Sequence, residues 1–276
     1  MALKNQGLNL IEFDFINPEN FIFPENDYFL KNNIAVVISF YAGKCLILEK
    51  GLKRIKEELG IIIVCELGDE PQTLIHNDII ASIANISLSP DYRSSLYWQN
   101  QGYNCKWFTH WADTSIYKNN NEIKRDIFMG TSMGKRKYDL LLKIILGPLY
   151  VNKISNPKKN AELYQRSKIV FQYARWGEIT RRIFEAAACN CCILTNKLES
   201  HTQIETIFAN NVSIIYYDGF FSLLYQLLRL KLKPNLYKKI SKNAKNIVLN
   251  HHTEKIRAKY LISLIKLELL KKSDPI

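Results

Sequence analysis

No stretch of this 276-residue chain is apolar for long enough to cross a bilayer. The longest run, LLLKIILGPLYV from Leu140, is cut by Lys143, Gly147 and Pro148, and a spanning helix needs roughly 20 residues. The N-terminus shows no secretory pattern, so a cytoplasmic protein, at most peripheral to a membrane, is expected. Metal-site spacing is missing as well. Cys45, Cys65 and Cys105 stand singly, Cys189, Cys191 and Cys192 crowd too closely to ligate together, and no second cysteine pair or matching His pair accompanies them. They read as buried free thiols of a reducing compartment, and neither a metal nor another cofactor is expected. Acids are scarce at one end: from Arg229 onward thirteen Lys or Arg face only Glu254, Glu268 and Asp274.

What the chain does contain is core. Apolar residues make up 47% of it and aromatics 12%, which excludes a disordered chain, and the length suffices for one large or two modest domains. The basic end carries two helical stripes, Leu236, Ile240, Ala244, Ile247 and Val248, then Ile256, Tyr260, Leu264 and Leu267, with lysines outside them. Solvated helix faces, an anionic membrane surface or nucleic acid all suit that distribution.

The informative stretch is ELYQRSKIVFQYARWGEITRRIFEAAACNCCILT, residues 162–195. Its pattern is a short helix, a buried strand over 168–173, a loop, a helix beginning at Glu178 and a strand over 191–194, which is a βαβ unit. On that reading Glu178 and Glu185, seven positions apart, share one helix face. Arg181 and Arg182 stand in the first turn, where free N–H groups and the helix dipole favour an anion. A carboxylate accepts paired sugar hydroxyls, and Arg or a helix N-terminus holds a diphosphate, so the set fits a nucleotide sugar. The same residues also allow an ordinary solvated turn, with Glu178 complementing the dipole and Glu185 paired to Arg181 or Arg182.

RSKIVFQYARWGEITRRIFEAAACNCCILT resembles the donor-binding segment of GT-B-fold glycosyltransferases of the group 1 type, especially the CgeB-like (spore maturation protein) group. In the broader retaining group a Glu, seven residues and a second Glu precede an Ala-Cys-Gly turn. The resemblance implies that Glu185 holds the nucleotide ribose and that Glu178, one residue closer than in that pattern, meets the sugar, with Gly177 at the matching offset. Asn190 replaces the glycine of the turn and tolerates a left-handed backbone. GTSMGKRKYDLLL, beginning at Gly130, resembles the family's Gly-Arg…Lys-Gly…Leu-Leu segment. Arg136 then falls on the diphosphate-binding Lys and Thr131 replaces the Arg, while Leu140 and Leu141 are expected to pack inward.

The remaining chain extends the plan. Residues 34–40, 61–67 and 105–111 read as strands, 48–59 and 91–101 as helices, and the polar run KNNN at 118–121 marks a boundary. Residues 1–120 are expected to form an acceptor-side Rossmann-like domain and 121–276 a nucleotide-sugar-binding domain with basic C-terminal helices. Glu66, Asp69 and Glu70 end the strand at 61–67 and face a cleft between the two, or else form an acidic turn at Pro71. His110, beside Trp107 and Trp111, reads as a proton shuttle or a packed side chain. MALKNQGLNLIEFDF reads as a helix end, a stop at Gly7 and a strand over 8–15. By the resemblance these follow a first strand and a Gly-rich loop, which leaves the N-terminal domain incomplete.

The expected fold is α/β, two Rossmann-like domains of the GT-B kind. The expected function is transfer of a sugar from a nucleoside-diphosphate donor to an acceptor of unknown kind, with Asp69 or Glu70 as base if the anomeric centre inverts. The alternatives are a non-catalytic sugar-nucleotide-binding relic and, third, a nucleic-acid binder using the basic C-terminus.

Overall fold

The computed structural model describes residues 2–12, 22–40, 46–68, 73–120, 125–130, 138–152, 156–174, 177–198 and 202–273. The chain gathers into two compact units, Met1–Thr109 with Arg257–Ile276, and His110–Ile256.

The first unit opens with a single 3-10 turn, Lys4–Gln6, stopped at Gly7, whose backbone is left-handed (φ 77°) and whose N–H bonds to the Lys4 carbonyl. Residues 8–12 form no strand, unlike the expectation for 8–15, and Leu8 and Ile11 are exposed with no sheet to cover them. Residues 13–15 lie outside the described residues. Then follow α1 (Asn26–Lys31), β1 (Val36–Ser39), α2 (Leu46–Leu59), β2 (Ile62–Glu66), α3 (Leu74–Ile83), β3 (Ile86–Ser89), α4 (Tyr92–Asn100) and β4 (Cys105–Trp107). The four strands are parallel and lie in chain order, β1-β2-β3-β4. Ile62 to Cys65 are all buried, as a strand covered on both faces requires. Leu48, Leu52 and Ile55 of α2, spaced four and three apart, supply the stripe that packs beside it.

The second unit contains β5 (Arg125–Gly130), α5 (Asp139–Leu146), β6 (Tyr150–Asn152), α6 (Pro157–Arg166), β7 (Ser167–Gln172), α7 (Arg181–Ala188), β8 (Cys192–Asn196), α8 (Ile204–Ile207), β9 (Ile215–Tyr217), α9 (Gly219–Leu232) and α10 (Pro234–His251). Its five parallel strands are ordered β6-β5-β7-β8-β9. Successive strand residues serve opposite faces. Val170 and Ile193 join a core with Ile183 and Phe184 of α7 and Ala244 and Val248 of α10. Ile169, Phe171, Cys192 and Leu194 join another with Leu142 of α5 and Leu223, Leu227 and Leu230 of α9. Leu142 is the buried residue of α5 and Leu141 packs, partly buried, against the same core as expected, whereas Leu140 points to solvent, contrary to expectation.

The last helix, α11 (Glu254–Ser273), belongs to the first unit from Arg257 onward. The Tyr260 ring stacks on Phe108 at 5.9 Å between centroids, the Arg257 guanidinium lies 5.7 Å over the same ring, and Lys272 donates to the Gly60 carbonyl at 2.6 Å. Both the expected boundary near residue 120 and the grouping of all basic helices with the second half therefore differ from the division observed. A stripe shows which side of a helix is apolar without showing which sheet will cover it.

Between α7 and β8 the chain turns at Asn190, left-handed at φ 61°, and its buried side-chain oxygen has no hydrogen-bond partner among the described residues. Replacing it by Gly keeps the turn and removes the unpaired oxygen, so Asn190→Gly is expected to leave stability unchanged or raise it. Asn190→Val meets the left-handed penalty of about 1–2 kcal/mol. Urea unfolding of the two variants checks the sign of each.

Candidate functional site

From β5 the chain passes to β6 on one side and later crosses to β7 on the other. The connections leave in opposite directions there, and an open parallel sheet binds its ligands at such a reversal, outside the carboxyl ends of the strands. Gly130 ends β5 at this point, in register with Asn152 of β6 and Phe171 of β7. Gln172 ends β7 one residue further on. It is 1% exposed, its carbonyl accepts the Tyr217 hydroxyl at 3.2 Å, and its side-chain nitrogen has no partner among the described residues. The described strands of the first sheet contain no such reversal.

Beyond Gln172 the backbone is held by Asn196 at the end of β8. Its Oδ1 accepts the Ala174 N–H at 2.8 Å and its Nδ2 donates to the Ala174 carbonyl at 3.1 Å. Gly177 then takes a left-handed conformation, φ 71°, open to few other residues. Glu178 follows, half-buried. The helix starts only at Arg181, with Thr180 as an extended N-cap (φ −111°, ψ 147°). Glu178 therefore lies in the loop and does not share a helix face with Glu185, as their spacing had suggested. Ile179, 2% exposed in the core shared with α7, occupies the position between loop and cap; seating it there keeps the chain extended past Glu178.

Arg181 lays its guanidinium over the Trp111 ring, 4.9 Å from the centroid. Glu185 sits on the second turn of α7, half-buried, and accepts a hydrogen bond from the Tyr117 hydroxyl. Burial pushes the Glu185 carboxyl above the usual carboxylate range, against the opposite pull of the Arg181 and Arg182 charges and of the Tyr117 bond. The Tyr117 phenol is itself raised, first by burial and then by the neighbouring Glu185 charge.

Trp111 and Tyr117 were not singled out as site residues from the sequence, and no spacing rule could link them to α7. Their segment is shaped by Asp113. Its Oδ1 accepts the Ser115 N–H at 2.9 Å and hydroxyl at 2.6 Å, and its carbonyl accepts the Tyr117 N–H at 2.7 Å. The segment is fastened on its other side by Ala112 N–H to His252 carbonyl (3.0 Å) and by the Thr114 N–H and hydroxyl to Glu254 (2.9 Å each). His110 meets the Phe184 ring edge-on at 6.4 Å, the geometry of a packed side chain.

Thr131 and Arg136, between β5 and α5, and Asp69 and Glu70, after β2, lie outside the described residues. Their flanks are defined in part: the Gly68 carbonyl receives both the Thr73 hydroxyl and, at 3.1 Å, the Asn77 amide, which ties the two ends of the loop carrying Asp69 and Glu70. A groove of about 390 Å³ in the first unit, lined by Ile86, Lys106, Leu264 and Leu267 among others, borders none of the candidate residues.

Two units, each built on a parallel sheet flanked by helices, the second with its reversal between β5 and β7, define a GT-B glycosyltransferase fold. Residues 126–263, half of the chain, match the glycosyl transferase-like family, and the chain belongs to that family. Similar solved structures include sucrose-phosphate synthase from Thermosynechococcus elongatus, at TM-score 0.66 and 9% identity over 88% of this chain and 76% of that one. HepE of Anabaena, solved with UDP-glucose, aligns at TM-score 0.61 and 12% identity over 84% and 78%. The pneumococcal O-GlcNAc transferase GtfA, solved with UDP and GlcNAc, aligns at 0.59 and 8% over 88% and 59%. At these identities the likeness is one of fold. No curated protein sequence matches the chain.

The Tyr117 bond stabilises the ionised form of Glu185. Tyr117→Phe is therefore expected to raise the Glu185 pKa further, followed by carbon-13 NMR of labelled glutamate carboxyls across a pH titration. An unchanged or lower value would show that the hydroxyl does not serve this carboxylate.

Proposed function

We propose that this protein transfers a sugar from a nucleoside-diphosphate donor, which the second unit binds at the carboxyl ends of β5 and β7. What supports the reading is the reversal of the second sheet at β5 and β7, where Gly130 ends β5 beside Phe171 and the segment with Gly177 and the Glu185-bearing helix follows β7. Within the glycosyltransferases the segment from Arg166 to Thr195 favours the CgeB-like group.

The leaving diphosphate gains negative charge as the glycosidic bond breaks, and catalysis consists largely of meeting that charge with fixed cations and N–H groups. Arg181 and Arg136, with Thr131 and the amides near Gly130 and Gly177, take that role, and the reading invokes no metal. Glu185 accepts the ribose hydroxyls. A carboxylate offers about four lone-pair sites, and Tyr117 uses one while fixing the orientation of the rest. Glu178, in the loop ahead of the helix, is assigned to the sugar. Asp69 or Glu70 serves as base if the configuration inverts, and retention needs none. UDP is the donor base to test first, because HepE and GtfA were solved with UDP-glucose and with UDP and GlcNAc respectively. Five buried thiols with no disulfide among the described cysteines suit a reducing cytoplasm.

Calorimetry with UDP, GDP, ADP and their sugars tests the reading. Binding without turnover of any sugar donor would favour the relic, and no binding of any of them would end the proposal. Glu185→Gln is expected to weaken the nucleotide roughly ten- to a hundredfold, the loss of a charged hydrogen-bond acceptor worth about 1.5–3 kcal/mol. Glu178→Gln is expected to lower transfer more than nucleotide affinity.

The raised Glu185 pKa fixes two signs. In the free protein, ionising this carboxyl costs stability, which is fully present below the unfolded pKa and declines as pH rises to the folded one. Glu185→Gln should therefore raise Tm at neutral pH while it weakens binding. A structural ion-pair residue would show the opposite, lower Tm with unchanged affinity. Ribose hydroxyls favour the ionised form, so nucleotide affinity should rise with pH through the Glu185 pKa and level off above it.

A further inference from the structure

We propose that the outer face of α5 and α9 docks the second unit on an anionic lipid bilayer. In α9 the inner residues Leu223, Leu227 and Leu230 fill the core, yet Phe221, Tyr225, Leu228 and Leu232 form a second apolar stripe, spaced four, three and four, on the solvent side. Leu140 and Ile144 of α5 project in the same manner. These six side chains are 57% to 83% exposed. The two helices cover the same face of the sheet. Their starts meet where the Tyr138 ring lies 6.4 Å from Phe220, itself 5.4 Å from Phe221. Large apolar side chains left exposed on two helices that cover one face of a sheet mark an interaction site.

Charge selects the occupant. Between Arg229 and Lys245, spanning the end of α9 and most of α10, stand seven Lys and Arg and no acid. Lys231, Lys233, Lys238 and Lys239 are exposed. On α5 the one acid, Asp139, is engaged by Lys143 at 2.8 Å and by the Tyr150 hydroxyl at 2.9 Å. The helix α9 itself contains no acid, and Asp218, its exposed N-cap, stands at the end opposite Arg229, Lys231 and Lys233. Acidic headgroups complement the rim, and Phe, Tyr and Leu on a helix flanked by lysines suit the headgroup boundary. Among the described residues no helix is long and apolar enough to cross a membrane, and the proposed contact is with its surface. The surface is independent of the donor site and of the lysines on α11.

Vesicle flotation of the full chain tests this, with phosphatidylcholine alone and with added phosphatidylglycerol. Binding should require phosphatidylglycerol and weaken with salt. Phe221→Ser combined with Leu232→Ser should lower it about tenfold or more, with unchanged circular dichroism because both side chains are exposed. Lys231→Glu with Lys233→Glu should lower it as well, while Lys266→Glu with Lys271→Glu on α11 should not. Binding that survives the α9 variants, or that is lost only with the α11 variants, would overturn the proposal. So would a dimer in sedimentation that the Phe221 and Leu232 changes dissolve.

Discussion

The pairing of β5 with β7 is the constraint on which the second unit depends. Once these strands lie side by side, with β6 on the far side of β5, the loops leaving Gly130 and Gln172 depart from one reversal in the sheet. The buried run Ile169 to Gln172 can be the central strand because both its neighbours are parallel and both its faces are covered. Asn196, on the next strand, then holds the loop beyond β7 through two hydrogen bonds to Ala174. The loop that carries Gly177 and Glu178 thus starts from a fixed point, and α7 delivers Glu185 from a rigid element.

A carboxylate in this position works against its own surroundings. Burial favours the protonated form, and the protein offsets that with two guanidinium groups one turn away and a phenol from a distant segment. The arrangement is a poor way to stabilise a fold, since a neutral isostere would be easier to bury. On the proposed function it holds an acceptor ready for hydroxyl groups that arrive with a ligand. Strain between stability and readiness of this sort concentrates at functional sites.

Much of this was legible from the sequence. The βαβ unit at 162–195, the left-handed turn at Asn190, the glycine stop at Gly7 and the buried strand at 61–67 each follow from local rules of periodicity or backbone freedom, and all are present with ends shifted by a residue or a few. The start of α7 was misplaced because a Glu behind a Gly looks like a helix opening, whereas seating Ile179 in the core defers the helix to Arg181. Tyr117 and Trp111 were out of reach, because their approach to α7 depends on an Asp113 turn and on the junction of α10 with α11, neither of which leaves a local pattern.

Helix α9 shows where pattern reading reaches its limit. A helix apolar on nearly all sides reads as one sunk in a core or in a membrane, and composition alone does not say which. In the fold one stripe is consumed by the sheet through Leu223, Leu227 and Leu230, while the other, from Phe221 to Leu232, is left over. The same ambiguity made Leu140 look like core: Leu142 has the same chemistry, and only the packing of α5 on the sheet decides between them. The outward apolar residues of the two helices therefore have one physical origin. Each helix carries more apolar surface than one sheet face can cover, and the excess faces outward beside a cationic rim.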